Sequence, residues 1–194
     1  MAQGRFVPEK VACIGGENLT TDYLLHKEVD AVLGLLTTGN RLAISAALQT
    51  GLRIGDVLAL PRDKIAPRMW VTESKTGKRR QVGMPQALCD EILRNAPENQ
   101  QWAFPGLKVG THRTRQAVWK DVKRAAAAMR LKTNAAPHSF RKVYAVRLLN
   151  EYGDIERVRR ALKHDSVTTT MIYAMADKRL KTRKSRRAAT RKRA

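Results

Sequence analysis

A mainly helical domain with one small antiparallel sheet, an α+β arrangement, is what three features of this 194-residue chain predict. Apolar residues recur at helical spacing in one segment after another. A single stretch, from Ile65 to Pro85, switches to strand-forming residues around a Thr-Gly turn. The length suits one domain with a real core and is short for two.

Taken in order, residues 1–20 combine Gly4, Pro8, Gly15 and Gly16 with little periodicity and read as an irregular N-terminal arm. Thr21 and Asp22 are plausible caps for a first helix, whose apolar positions Leu24, Leu25, Val29, Val32, Leu33 and Leu36 carry it to Gly39. A second helix spans Arg41 to Thr50 and breaks at Gly51, which places Arg53 at the start of the next helix with Asp56 one turn later. Met69 to Thr72 and Gln81 to Met84 form a hairpin about Thr76-Gly77, with Lys75, Lys78, Arg79 and Arg80 around its tip. Gln86 to Arg94 is helical, Asn95 to Gly110 is a loop, and a long basic helix is expected from Thr111 to about Met129. Pro137-His138 opens a helix through Asn150, Asp154 caps another through Lys163, and Ser166 caps the one that bears Tyr173. The single domain therefore covers residues 21–176, and a basic tail fills 177–194.

Charge narrows the function. Lysine and arginine number 38 against 17 acidic residues, a balance of +21. Ten of those basic residues fall between Lys178 and Ala194 with no acid among them, so the tail supplies +10 and the rest of the chain +11. Such a field favours a polyanion, with double-stranded DNA the leading partner, over a small neutral ligand. No apolar run approaches the roughly 20 residues of a spanning helix, no basic-then-apolar leader follows Met1, and a cytoplasmic, nucleoid-associated protein is expected. Cys13 and Cys89 lack metal or redox spacing, and His26, His112, His138 and His164 make no zinc pattern. Neither a metal nor another cofactor is expected.

The residues that carry chemistry are Arg53, Lys75, His138-Ser139-Phe140-Arg141, His164 and Tyr173. A tyrosine hydroxyl, with its free pKa of about 10, attacks only where neighbours stabilise its anion and neutralise the electrophile. For a phosphodiester, the charge that develops on the phosphoryl oxygens suits planar, permanently cationic arginines. The departing 5′-oxygen needs a proton from a lysine or histidine. His138 and Arg141 lie one turn apart on one helix face, where they can address one phosphate together. Taken singly, each piece fits ordinary protein surface: a solvent-facing histidine, or a tyrosine packed on a helix.

As an ordered set, TGLRIGDVLAL around Arg53, ESKTGK around Lys75, PHSFRK around His138 and Arg141, and ALKHDSVTTTMIY around His164 and Tyr173 resemble the motifs of the tyrosine recombinases, the lambda-type phage integrases. The resemblance covers roughly Thr21 to Ala176. It implies the tyrosine-recombinase catalytic-domain fold and a site-specific enzyme that cleaves and rejoins DNA through a 3′-phosphotyrosine, without ATP or metal, in integration, excision or inversion. By position, Tyr173 is then the nucleophile, Arg53 and Arg141 clamp the scissile phosphate, and Lys75 is the general acid. His138 assists proton transfer, His164 hydrogen-bonds the phosphate, and Asp56 orients the site or is a helix-surface carboxylate. Lys78, Arg79, Arg80, Lys163, Arg183 and Lys184 are expected to contact DNA. A homo-tetramer on DNA follows, with a monomer or weak dimer when free and accessory DNA-bending proteins as further partners.

Three departures stand out. Lys163 occupies the place where the family usually has glycine before its second-motif histidine. Phe140 replaces leucine in the His-x-Leu-Arg pattern. The forty residues before Arg41 are too few for the N-terminal core-binding domain that most such enzymes carry, so a weaker grip on DNA or help from accessory proteins is expected. Lys75 matches the family lysine better than Lys78, although spacing alone leaves both open. The competing functions are a type IB topoisomerase-like enzyme, a catalytically silent DNA-binding protein of the same fold, and a basic RNA-binding protein.

Overall fold

The computed structural model describes residues 22–154 and residue 158. Among the described residues, six helices and one hairpin follow in the order α1 (His26–Leu35), α2 (Thr38–Thr50), α3 (Ile54–Leu58), a 3-10 turn (Arg62–Lys64), β1 (Arg68–Thr72), β2 (Arg79–Gly83), α4 (Gln86–Asn95), α5 (Arg115–Ala128) and α6 (Pro137–Tyr152). The mainly helical architecture with a small antiparallel sheet is as the sequence predicts. The arm, the helices expected beyond Asp154, and the tail lie outside the described residues.

Helix α2 is the hub. It touches α1, α3, α4, α6 and β2, and its sequence explains why so many neighbours fit. Leu42, Ala43, Ile44, Ala46 and Ala47 are all buried, and the three alanines keep the helix thin enough for others to pack closely. Phe140 of α6, Ile92 of α4 and Val118 and Val122 of α5 complete the same core.

Both ends of the hub are tied by polar contacts. At its N-terminus the buried carboxylate of Asp121, from α5, accepts hydrogen bonds from Thr37 N (2.9 Å), Thr37 Oγ1 (2.9 Å) and Asn40 Nδ2 (2.7 Å). Its other oxygen accepts from Arg124 at 2.6 Å. These donors outweigh the cost of burial and hold Asp121 down at about 2. At the C-terminus Gly51 adopts the left-handed conformation (φ 66°) and closes the last turn by donating to Ala47 O at 2.8 Å. The Tyr144 ring of α6 lies directly against it, in the space a β-carbon would need.

In the hairpin, Met69 pairs with Val82, Trp70 with Gln81 and Val71 with Arg80. Met69, Val71 and Val82 face the core while Trp70 and Arg79 face out, with the Arg79 guanidinium 5.0 Å from the Trp70 ring centre. Two strands alone are marginal in water, and this pair is sustained by its buried face.

Several boundaries differ from expectation. The first helix stops at Leu35, short of Gly39, and α2 begins at Thr38, ahead of Arg41, because the chain is extended at Leu36 and Thr37. Helix α1 starts at His26, because Asp22 instead accepts a hydrogen bond from Asn134 N (2.6 Å) and fastens the chain beside the start of α6. Just ahead of α1, the amide of the N-cap residue Leu25 donates to the Glu28 carboxylate at 2.8 Å. Helix α5 starts at Arg115 because Thr114, rather than Thr111, caps it through Ala117 N at 3.1 Å. Thr111 closes the preceding turn by donating to Lys108 O. The strands run Arg68–Thr72 and Arg79–Gly83, each beginning before the expected residue, which leaves Met84 beyond β2.

Two stability predictions follow from the ends of α2. Asp121 is depressed from an ordinary 3.8 to about 2, so its contribution is complete above the unfolded value and disappears as pH falls through the folded one. Asp121→Asn is expected to cost on the order of 2 kcal/mol at neutral pH, with the gap to wild type closing in urea titrations carried down towards pH 2. Gly51→Ala places a side chain both in the left-handed region and against Tyr144. A loss of at least ~1–3 kcal/mol is expected from the backbone alone, and thermal unfolding in a Tyr144→Ala background should recover only the part due to the collision.

Candidate active site

The short link from Thr50 to Arg53 organises the site. A helix ends with carbonyls that have no partner in the helix and with the negative pole of its dipole, so it attracts cations. Here two guanidiniums take those places. Arg80 Nη2 donates to Thr50 O at 3.0 Å and Arg141 Nη1 donates to Gly51 O at 2.6 Å. Arg141 reaches this carbonyl because α6 packs along α2 and presents the residue one turn beyond His138. It is only 3% exposed. Arg53 leads into α3 two residues further on, with 28% of its side chain exposed.

Between these cations lies Glu73, with no exposed surface. Its Oε2 accepts from Arg53 Nη1 at 2.7 Å, and its Oε1 forms an ion pair with Arg80 Nε at 3.1 Å. The same residue starts the hairpin turn, where its carbonyl accepts from Gly77 N at 2.8 Å and Gly77 takes a positive φ of 63°. Next to it, Ser74 donates to Asp56 Oδ1 through both its amide (3.0 Å) and its hydroxyl (2.6 Å). Asp56 is buried in α3. The turn that carries Lys75 is thus moored on two sides, by Glu73 to Arg53 and by Ser74 to Asp56.

Of the residues marked in the sequence, the structure gathers Arg53, Asp56 and Arg141 at this seam, and holds exposed Lys75 on the adjoining turn. His138 is exposed on the first turn of α6. Lys78 and Arg79 are exposed on the hairpin. Arg80, expected to face DNA, is turned inward with 10% of its side chain exposed. His164, Tyr173, Lys163, Arg183 and Lys184 lie outside the described residues.

Glu73 was not among the expected residues, yet a signal for it exists. Continuing the period-two pattern of Met69 and Val71 puts position 73 on the inward face, where a carboxylate requires a cation. On the return strand, Arg80 shares the inward face with Val82.

The electrostatics favour an anion. Burial pulls Arg141 down to about 10, and the like charges of Arg53 and Arg80 add to that effect while Glu73 and Asp56 oppose it. Burial likewise lowers Arg80, against the pull of Glu73. Three guanidiniums face two carboxylates, which leaves an excess positive charge beside the partly open Arg53. Tyr144 adjoins the same cluster, but burial raises its phenol above the ordinary value and keeps it neutral. Among the described residues, no group of three or more potential metal ligands occurs.

Comparison with known proteins bears on the family and the fold. A family model, described as the phage integrase family, matches residues 22–180. The tyrosine recombinase XerD of Bradyrhizobium diazoefficiens is 32% identical over 149 residues, covering 68% of this chain and 47% of its own length. The chain spans about half the length of the curated relatives it matches. In fold, it resembles the XerH site-specific recombinase in a post-cleavage complex with palindromic difH substrate, with a TM-score of 0.65, 22% identity, and coverage of 78% of this chain and 48% of that one. A lambda integrase dimer bound to a COC′ core site gives 0.64 and 21%, covering 82% and 49%. The chain therefore belongs to the phage integrase family and has the fold of its tyrosine-recombinase catalytic domains.

Proposed function

We propose that this protein is a site-specific DNA recombinase that cuts and rejoins double-stranded DNA through a 3′-phosphotyrosine at Tyr173. The observation that carries the reading is the cation cluster at the end of α2, where Arg53 and Arg141 are fixed on a buried frame with positive charge in excess. The catalytic domain is taken as residues 21–176, flanked by the arm at 1–20 and the basic tail at 177–194.

In this mechanism the Tyr173 oxygen attacks the scissile phosphorus. Arg53 and Arg141 stabilise the charge that builds on the non-bridging oxygens, and His164 donates to one of them. Lys75 protonates the departing 5′-oxygen while His138 assists proton transfer. The new tyrosine ester keeps the energy of the bond it replaces, so a 5′-hydroxyl from another strand can reverse the step without ATP. Positioning is the main demand on the protein. Ser74 and Glu73 meet it for Lys75 by tying the turn to α3.

Exposed cations of the hairpin, Lys78 and Arg79, together with Lys163, Arg183 and Lys184, supply sequence-independent contacts to phosphates. The assembly on DNA is taken to be a homo-tetramer, formed from monomers or weak dimers and aided by DNA-bending proteins. The event served is integration, excision or inversion. A cytoplasmic, nucleoid-associated protein fits this role, and among the described residues no helix is long and apolar enough to cross a membrane.

Incubation with DNA nicked near the cleavage site should trap a denaturant-resistant adduct on denaturing gels. Tyr173→Phe should bind DNA and form none. An adduct that persists in Tyr173→Phe, or that mass spectrometry places on Tyr144 or Tyr152, overturns the assignment. Relaxation of supercoils without exchange of partners would instead indicate a topoisomerase.

Lys75→Ala should slow cleavage of ordinary DNA by ~10²- to 10⁴-fold. A bridging sulfur in place of the 5′-oxygen leaves readily as a thiolate, so cleavage of that substrate by Lys75→Ala should be largely restored. Arg53→Ala and Arg141→Ala should stay slow on both substrates. Rescue seen for Lys78→Ala in place of Lys75→Ala would transfer the role to Lys78.

A further inference from the structure

Arg80 stands behind the clamp. Its guanidinium is held by Thr50 O and by Glu73 Oε1, and its side chain is only 10% exposed, so it is placed to serve the protein interior and not a DNA phosphate. Glu73 presents one oxygen to Arg80 and the other to Arg53. A carboxylate paired with Arg53 alone would fix its direction but cancel its charge where the phosphate is to bind. A second cation on the opposite oxygen removes that conflict.

We propose that Arg80 is a positioning residue that neutralises Glu73, so that Glu73 can aim Arg53 at the scissile phosphate without drawing off its charge. This rests on the strand-transfer reading above. The local chemistry agrees at each point. Glu73 has no exposed surface, so water cannot screen its charge from Arg53. Arg80 lies opposite Val71 in the hairpin register, which fixes its distance from position 73 through the backbone. Its anchor at Thr50 O belongs to the link that leads into Arg53, so the brace and the clamp share one piece of chain.

The logic yields a sign that a merely structural role does not. With Arg80→Gln, Glu73 keeps its charge and falls back on Arg53 and the Thr76 hydroxyl, which donates to its Oε2 at 3.4 Å. Single-turnover adduct formation at saturating DNA should then slow by roughly tenfold or more, while DNA affinity stays close to wild type. The double variant Glu73→Gln with Arg80→Gln removes both charges, and the amide it puts at position 73 still offers an oxygen to Arg53. It should regain most of the lost rate, and Arg80→Lys, which keeps the charge, should lose little. A double variant as slow as Arg80→Gln overturns the proposal, as does a loss of DNA affinity by Arg80→Gln in step with its rate.

Folding is checked by urea unfolding of each variant. If Arg80→Gln fails to fold and the double variant folds, the charge compensation is supported, since a buried carboxylate that has lost one of its two cations is the expected cause. If neither folds, the pair is structural only and the proposal fails. Should the wild-type protein form no adduct on any DNA, the strand-transfer reading falls by itself. The clamp is then read by phosphorus NMR titration with inorganic phosphate, where weaker binding by Arg80→Gln, restored in the double variant, supports the proposal and equal binding by all three overturns it.

Discussion

Glu73 is the contact on which the site depends. A carboxylate with no exposed surface is costly unless cations and hydrogen bonds replace its water, and here Arg53 and Arg80 take one oxygen each. The arginines have a matching problem, because three guanidiniums brought together repel. Carbonyls at the end of α2 receive two of them, Arg80 at Thr50 and Arg141 at Gly51. The frame is therefore reciprocal: neither the buried carboxylate nor the crowded cations would be tolerable without the other.

That reciprocity links the fold to the site through one helix. The N-terminus of α2 is fixed to α5 by Asp121, and its C-terminus opens into the Thr50–Arg53 link where the cations gather. A rigid hub transmits its placement to both ends, since a close-packed helix with alanines against its neighbours has little room to shift. The absence of a side chain at Gly51 matters twice here, for the left-handed turn and for the approach of Tyr144.

Much of this was legible in the sequence. The break at Gly51 and the placement of Arg53 at a helix start follow from the end of the apolar pattern at Thr50, and the hairpin from its strand formers around Thr76-Gly77. Boundaries were harder where two residues compete for one cap. Thr111 and Thr114 have the same chemistry, and only the loop's own hydrogen bonds decide between them. Asp22 is a good cap in isolation but is taken by Asn134, a partner 112 positions away. The inward turn of Arg80 could have been read from its alternation with Val82, had its charge not pointed to the surface.

The same balance of charge bears on how the protein meets its partner. Burial is the main reason that Arg141 is depressed, and the crowding imposed by Arg53 and Arg80 adds to it, with Glu73 and Asp56 opposing. In the proposed reaction the arriving phosphate would supply negative charge at Arg53, the most exposed of the three guanidiniums. Anion binding of that kind would relieve repulsion that the folded chain carries on its own, and by linkage would stabilise the fold. Affinity drawn from the relief of built-in repulsion needs no rearrangement of Arg80 or Arg141. Their carbonyl anchors already hold them, and the cost of arranging them falls on folding and not on binding.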